Sequence, residues 1–476
     1  MTQTIPVPRA SDQTPPPDHQ PRSLDGSADG KSLAAHRPRA ASGVVCSHLV
    51  GRDGPYYIIR TADARSYHRL DARDFFLWQR MDGEHTVVDL VVAYFAAYGS
   101  FALERVTGLT SALQTAGFLV NEQQPGGGQT PVRDPRERAA TGWQSFLMKQ
   151  FAVGGIDRLV AVLYARGGRL LFTRPAQVLF AAVSLIGVAL YVRLWTSAWR
   201  PAGGSGGAAG ALLWLVLLNL VSILLHELSH GLTVKHYGRE VRRAGFMIYF
   251  GLPVFFVDTT DIWLEGKRAR LAVSWAGPYS GLILAGICGI VLTIWPELPI
   301  GWLLFQFAFL ALLTVFINLN PLLELDGYYL LMDWLEIPML RRRSLAFLGS
   351  GLWQRLRAGQ RWSREDRIFA MFGLLSALWT VYAVAVGIRF WQGQLAGSLD
   401  RLAHSAGGAD LLPALAGLLI SLVFIAALGV YPLQLARRGL HRLVRFGRTL
   451  AARQSRRPPT PRLTDPGADV LPLSQR

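Results

Sequence analysis

The sequence predicts a mainly α-helical, polytopic membrane protein with about six transmembrane helices and a small α+β domain before them. Of its 476 residues, 51% are hydrophobic, which is high for a soluble protein. Several apolar runs of about 20 residues are almost free of charge, and that length crosses a bilayer. The 49 Lys and Arg residues exceed the 32 Asp and Glu residues and flank these runs, a distribution typical of cytoplasmic loops in membrane proteins rather than of nucleic-acid binding.

Composition and pattern divide the chain into five segments. They are a disordered start (1–42), a small folded domain (44–122), a linker (123–142), a membrane domain (143–436) and a basic, disordered tail (437–476). Six spans are expected at about 176–196, 210–231, 270–295, 301–320, 368–390 and 411–433.

Loop charge predicts the orientation of these spans. Lys and Arg are concentrated before the first span and in the loops after the second and fourth, so we expect both termini on the cytoplasmic side of the inner cell membrane. The basic tail favours anionic headgroups. Membrane lipid is therefore an expected partner, and nucleic acid is not.

The folded domain contains predicted strands followed by three predicted helices. Tyr56–Ile59 and Ser66–Leu70 have the composition of short strands. Asp71 and Thr86 are placed to cap the first two helices, and the third helix is expected from about Phe101.

Several features of this domain resemble the PqqD-like domain, the RiPP recognition element, which has a winged-helix-like fold. They are the strand pair, Leu70–Asp71 entering a helix, Trp78, the Asp82–Gly83 and Thr86 junction, and the closing Leu113, Gly117, Phe118 and Leu119. The resemblance implies that a precursor leader peptide binds by adding a strand to the sheet. A regulatory or purely structural domain is the alternative.

A histidine pair lies inside one of the apolar runs. His226, Glu227 and His230 form the pattern H-E-x-x-H, and a helix places both imidazoles on one face, about 6 Å apart along its axis. That spacing suits one zinc ion, with Glu227 as the general base. A charged residue at the centre of a membrane helix costs about 2.5–3.5 kcal/mol or more, so a metal is the simplest reason for three ionisable groups here.

A zinc hydrolase needs a third protein ligand and an open position for water. His236 occupies the last position of the pattern H-E-x-x-H-x-x-G-x-x-H, but Thr233 replaces its glycine, and an unbroken helix would put His236 about 15 Å from His226. Asp326 is the second candidate. It follows the end of the fourth span, where Pro321 breaks the helix and Gly327 is expected to permit a tight turn.

Together these stretches resemble the site-2 protease family of intramembrane zinc metallopeptidases, which carries H-E-x-x-H on one span and N-x-x-P-x-x-x-L-D-G on a later one. The second motif is matched by Asn318, Pro321, Leu325, Asp326 and Gly327. The resemblance implies that zinc is held by His226, His230 and Asp326 and that Glu227 activates water. It covers about 210–340. A central Gly-Pro loop of the family corresponds to Ala276–Gly281, where Gly281 replaces the expected Asn.

Combined with the amino-terminal domain, the resemblance points to the peptide zinc metalloprotease branch of that family. The predicted function is an intramembrane zinc metalloendopeptidase that cuts a peptide or a membrane-anchored protein, with maturation of a ribosomally made peptide as the expected setting. A non-catalytic membrane adaptor for peptide binding or export, with a structural zinc site, is the alternative. A membrane oxidase with another metal is a third class, disfavoured because only 10 histidines occur.

Three further features have more than one interpretation. Phe246–Val257 is too short to span and is expected to form a re-entrant hairpin or an edge strand, which in the family pairs with extended substrate. Glu324 and Asp333 are expected to be solvated loop carboxylates, with a contact to a ligating histidine as the alternative. Asp258 and Asp261 are similarly ambiguous.

Overall fold

A computed structural model of the chain describes residues 36–120, 150–153, 155–197, 199, 201, 208–249, 252–404, 415 and 417–418. The chain forms two compact units that divide between Ser376 and Ala377. His226, His230 and Asp326 all lie within the first unit. The predicted linker, most of the predicted sixth span at 411–433 and the basic tail fall outside the described residues.

The amino-terminal domain consists of a three-stranded antiparallel sheet followed by three helices. In chain order these are β1 (Val45–Gly51), β2 (Gly54–Arg60), β3 (Tyr67–Asp71), α1 (Ala72–Trp78), α2 (Val87–Tyr98) and α3 (Leu103–Thr115). The sheet order is β1-β2-β3. The two predicted strands and three predicted helices are therefore present in the predicted order.

Local capping explains where the first two helices begin. Asp71 accepts hydrogen bonds from the Arg73 and Asp74 amides at the start of α1. Thr86 and Asp89 form a reciprocal capping box at the start of α2, which satisfies otherwise unpaired amide groups. Both predicted caps are confirmed.

Two features of this domain differ from the prediction, namely its first strand and the residue at which it begins. Strand β1 was not expected, because it lies at the edge of the sheet and exposes most of its side chains, Val50 included, so its sequence lacks a clear apolar alternation. The chain also contacts the domain before residue 42. Arg39 pairs with Asp82 and Ala40 with Leu119 as isolated bridges, so residues 36–42 are part of the folded domain.

The rest of the first unit is mainly helical, with a second small sheet. Its elements are β4 (Gln150–Val153), α4 (Ile156–Ala165), α5 (Arg174–Thr196), α6 (Ala208–His236), β5 (Ala244–Tyr249), β6 (Leu252–Val257), α7 (Lys267–Ile294), α8 (Gly301–Asn318), α9 (Asp326–Leu335), α10 (Leu340–Ala346), α11 (Leu352–Ala358) and α12 (Arg364–His404), the last of which runs into the second unit.

Among the described residues, five helices are long and apolar enough to cross a membrane. They are α5, α6 from Leu213, α7, α8 and the Arg364–Asp400 part of α12. The first five predicted spans are thus helical, and the chain is a membrane protein. Strands β5 and β6 form an antiparallel hairpin, and β6 lies at the edge of the sheet β4-β5-β6.

Helix α7 contacts α5, α6, α8 and α9. Glycines bring α5 and α7 into backbone contact, since a Cβ on Gly187 would lie 2.0 Å from the Gly286 carbonyl oxygen, and one on Gly289 would lie 2.0 Å from the Gly187 carbonyl oxygen. Small residues permit this close approach between membrane helices. The predicted central loop Ala276–Gly281 is instead helical, with Pro278 inside α7, because these residues continue the packed face of that helix.

The amino-terminal sheet packs on the segment between β6 and α7 through a buried ionic cluster. Asp261 accepts hydrogen bonds from Arg60 (2.6 Å), Tyr67 (3.0 Å) and the Glu240 amide (3.1 Å). Burial alone would raise the pKa of Asp261, but these hydrogen bonds lower it below its ordinary value. Burial and the neighbouring Asp261 raise the pKa of Tyr67. Asp261 is therefore an interface residue and does not contact the histidine pair.

Candidate metal centre

Helix α6 brings His226 and His230 together on one face. Their Nε2 atoms are 3.2 Å apart, as expected for two imidazoles separated by four residues. The other ring nitrogen of His230, Nδ1, is 2.6 Å from the carbonyl oxygen of Val273 on α7. A backbone carbonyl in that place orients the ring and leaves Nε2 available as a ligand atom.

Asp326 reaches the same place because the chain changes direction after α8. That helix ends at Asn318, and the Asn320 side chain accepts a hydrogen bond from the Leu322 amide in the following turn. Pro321 lies in that turn. Leu325 has an extended backbone and occupies the N-cap position of α9, so Asp326 is the first residue of that helix.

Gly327 has a different role from the predicted one. It lies in the first turn of α9 and is absent from the glycines with positive φ, so it forms no special turn. A Cβ there would lie 2.3 Å from the carbonyl carbon and oxygen of Leu319. Glycine is needed because the start of α9 lies directly against the end of α8.

The carboxylate of Asp326 faces both imidazoles. His226 Nε2 is 3.1 Å from Asp326 Oδ2, and His230 Nε2 is 3.4 Å from Asp326 Oδ1. Within the described ranges, these three residues form the group of potential metal ligands whose donor atoms lie within 4.8 Å of one another. A tetrahedral ion with bonds of about 2.0–2.1 Å separates its ligand atoms by about 3.3 Å. Two imidazole nitrogens and one carboxylate at these separations fit a zinc ion.

Gly277 keeps the space beside the imidazoles clear. A Cβ on this residue would lie 2.3 Å from His230 Nε2 and 2.5 Å from His226 Nε2, which is less than the contact distance of a carbon and a nitrogen atom. The absence of a side chain at Gly277 is therefore a condition for the observed arrangement of the two ligand atoms.

Gly277→Ala is expected to lower zinc affinity about 10- to 100-fold, the range seen when groups around metal ligands are altered. The added methyl group would force both imidazoles from their positions. Zinc content of the purified full chain, measured by elemental analysis across a chelator series, checks this. Gly266→Ala, at the residue directly before the same helix, is the control, since a Cβ there has no neighbour within 4 Å. Equal zinc affinity in both variants would contradict the assigned role of Gly277.

Glu227 follows the first histidine and lies outside the three-residue ligand group. The backbone amide of Val257, the last residue of β6, lies near its carboxylate. The end of the β5–β6 hairpin therefore lies beside the predicted general base. A carboxylate held beside the ligand group and outside it is suited to proton transfer.

The remaining candidates lie away from the histidine pair. The Nδ1 atom of His236 is 3.0 Å from the Tyr164 hydroxyl, and its ring stacks on Phe172 at 4.3 Å. Because α6 is continuous through His236, the imidazole of that residue lies away from the His226 and His230 side chains. Asp258 accepts hydrogen bonds from the Thr260 amide and hydroxyl.

One expectation about the acidic residues is wrong and one is met. Asp333 is half-buried in α9, with 13% of its side chain exposed, and accepts a hydrogen bond from Arg270 at 2.8 Å. It is therefore not a solvated loop carboxylate, because α9 turns this side of the helix toward α7. Glu324 is exposed, 4.0 Å from Arg341, in agreement with the prediction.

Sequence reasoning missed the groups that support the ligands. Val273 and Val257 act through backbone atoms, which no side-chain pattern reveals. Gly277 belongs to a Gly-Pro pair that the sequence does single out, although for a loop. Arg270 carried a signal, since a charge at the start of a membrane helix needs a partner.

Comparisons with known proteins identify distant relatives. The chain is 25% identical over 131 residues to "Putative peptide zinc metalloprotease protein YydH" of Bacillus subtilis, covering 26% of this chain and 50% of that protein. It is 31% identical over 146 residues to "Putative zinc metalloprotease Rip2" of Mycobacterium tuberculosis, covering 25% and 56%. An uncharacterized protein of Methanocaldococcus jannaschii is 35% identical over 71 residues, covering 14% and 20%.

These relationships are partial. The chain spans about half the length of the two named metalloproteases and a smaller share of the archaeal protein. No family model and no solved structure matches it. The chain is a membrane protein distantly related to proteins named as zinc metalloproteases.

Proposed function

We propose that this chain is an intramembrane zinc endopeptidase of the site-2 protease type. The observation that carries the proposal is the meeting of His226, His230 and Asp326 at ligand distances, with Glu227 beside them. A purely structural zinc site needs no adjacent general base, so Glu227 favours a peptidase over a non-catalytic adaptor.

The three ligands would hold zinc and leave a fourth position open. When bound, zinc would supply Lewis-acid chemistry, polarising the scissile carbonyl and lowering the pKa of water so that the water gives up its proton more readily. Glu227 takes the proton from the attacking water and later returns it to the leaving amine. The end of β6 at Val257 lies beside the Glu227 carboxylate.

We propose that the substrate binds in an extended conformation along the β5–β6 hairpin. Strand β6 lies at the edge of its sheet and ends at Val257, which contacts the general base. Added as a further strand, a substrate exposes its peptide carbonyls, whereas a helical one keeps them in internal hydrogen bonds. Either a free peptide or a membrane-anchored protein fits this requirement.

The amino-terminal domain would recruit the substrate. The sequence features that resemble the PqqD-like domain support this proposal, and a precursor leader peptide is the proposed ligand. The word "peptide" in the name of the Bacillus subtilis relative is compatible with maturation of a ribosomally made peptide. We place the chain in the inner cell membrane with both termini cytoplasmic, because the Arg-rich loops lie on that side by the positive-inside rule.

The function is tested with the full chain in lipid nanodiscs, loaded with zinc and incubated with a peptide library and with any short precursor peptide encoded beside its gene. Mass spectrometry is expected to find new peptide termini that disappear with a zinc chelator and return when zinc is added. Binding of the precursor with no zinc-dependent termini would contradict the peptidase and support the adaptor.

A further inference from the structure

Arg270 is a buried charged residue that the proposed chemistry does not use. It lies in the first turn of α7 and is 7% exposed. Its guanidinium donates to the Asp333 carboxylate (Nε to Oδ1, 2.8 Å), to the Glu265 carbonyl oxygen (Nη1, 3.0 Å) and to the Tyr56 hydroxyl (Nη1, 3.1 Å). Removing two charges from water to form a buried ion pair costs free energy. We therefore ask what function the position of Arg270 serves.

Arg270 and its partner Asp333 lie on the two helices that complete the metal centre, α7 and α9. Arg270 precedes Val273 by three residues on α7, and the Val273 carbonyl contacts His230. Asp333 follows Asp326 by seven residues, or about two turns, on α9. Because a short helix moves as a rigid element, the bond between Arg270 and Asp333 sets where Asp326 lies relative to the histidine pair.

Tyr56 brings the amino-terminal domain into the same contact. It lies on β2, is 5% exposed and packs with Ile58 and Leu264. A second link runs in parallel, since the Glu336 carboxylate at the end of α9 accepts from the Arg52 amide at 2.5 Å and lies 3.3 Å from Lys267 Nζ. The domain thus contacts the start of α7 and the end of α9 together.

We propose that Arg270 is a positioning residue for the metal centre, and that Tyr56 makes this position depend on how the amino-terminal domain is seated. Movement of that domain would shift α9 against α7 and change the distance of Asp326 from His226 and His230. Peptide recognition at the domain would then be coupled to the metal site through these contacts. The proposal rests on the metal centre of the proposed function.

The test uses the full chain in detergent, titrated with Co²⁺, whose visible absorption reports both binding and the arrangement of its ligands. Asp333→Asn keeps the size of the side chain and removes its charge. It is expected to weaken Co²⁺ binding about 2- to 30-fold and to shift the absorption band. Tyr56→Phe removes one hydroxyl. It is expected to weaken Co²⁺ binding and to shift the absorption band in the same directions, each by a smaller amount.

Glu265→Gln is the matched control. It weakens the nearby pair of Glu265 with Arg239 but keeps the backbone carbonyl that Arg270 uses, so Co²⁺ affinity and spectrum should equal those of the wild type. Thermal melting shows that each variant is folded. An Asp333→Asn chain with the wild-type spectrum and affinity would overturn the proposal while leaving the proposed function intact. If the wild-type chain did not bind Co²⁺, or bound it equally well without the His226 imidazole, both this proposal and the proposed function would be overturned.

Discussion

Glu227→Gln is expected to reduce peptide cleavage by about 10²- to 10⁴-fold, the usual contribution of a general base, while bound zinc is unchanged. The amide of glutamine has nearly the shape of the carboxylate but cannot accept the proton of the attacking water. Glu227 lies outside the group formed by His226, His230 and Asp326, so its replacement should not remove a ligand. Cleavage rate and elemental zinc analysis on the same preparation check both parts.

Glu324→Gln is the matched control for that variant. Glu324 lies two residues before Asp326 but is exposed, with Arg341 as its ionic partner at 4.0 Å. The substitution removes an equal charge near the site, so full activity is expected. If Glu227→Gln cut peptide at the wild-type rate, the general-base assignment would be wrong. If both variants lost activity alike, the effect would lie in the local charge instead.

Asp326→Ala is expected to weaken zinc binding by more than about 100-fold, because a direct ligand contributes more than the surrounding groups whose loss costs about 10- to 100-fold. Cleavage should fall with it. The reason is geometric, since Asp326 supplies the only oxygen donor within the group of three. Zinc titration against a chelator of known affinity measures the change, and thermal melting confirms that the variant folds.

His236→Ala is the control that separates the two candidate third ligands. Its ring stacks on Phe172 and its Nδ1 atom contacts the Tyr164 hydroxyl, so we expect a small loss of stability and no change in zinc affinity. The opposite result, with zinc lost in His236→Ala and kept in Asp326→Ala, would install His236 as the ligand.

The elements that local chemistry specifies were predictable. The capped starts of α1 and α2 follow from Asp71 and Thr86, whose side chains bond to amides two or three residues away. The spans follow from apolar length, since α5 and α8 need no partner to be recognised as membrane helices. Strand β1 has no such local signal, because an edge strand with exposed side chains shows little apolar alternation.

The candidate site also has a part that the sequence predicts and a part that it does not. A spacing of four residues places His226 and His230 on one helical face in any context, and the family motif predicts that Asp326 approaches them. The other groups come from distant parts of the chain. The Val273 carbonyl, the cleared space at Gly277 and the Arg270 contact with Asp333 exist only because α7 packs against α6 and α9.

By itself, the sequence indicated a helical membrane protein and the approximate extent of its first five spans. It also gave His226 and His230 as a metal-binding pair, with Asp326 as the third ligand implied by the family resemblance. These properties depend on hydrophobicity, helical periodicity and capping, which act over a few residues. Tertiary structure decided that the three ligand atoms meet at distances that fit zinc, that a strand end contacts Glu227, and that the amino-terminal domain contacts both α7 and α9. Such contacts join residues up to hundreds of positions apart, and only packing of the folded chain brings them within a few ångströms.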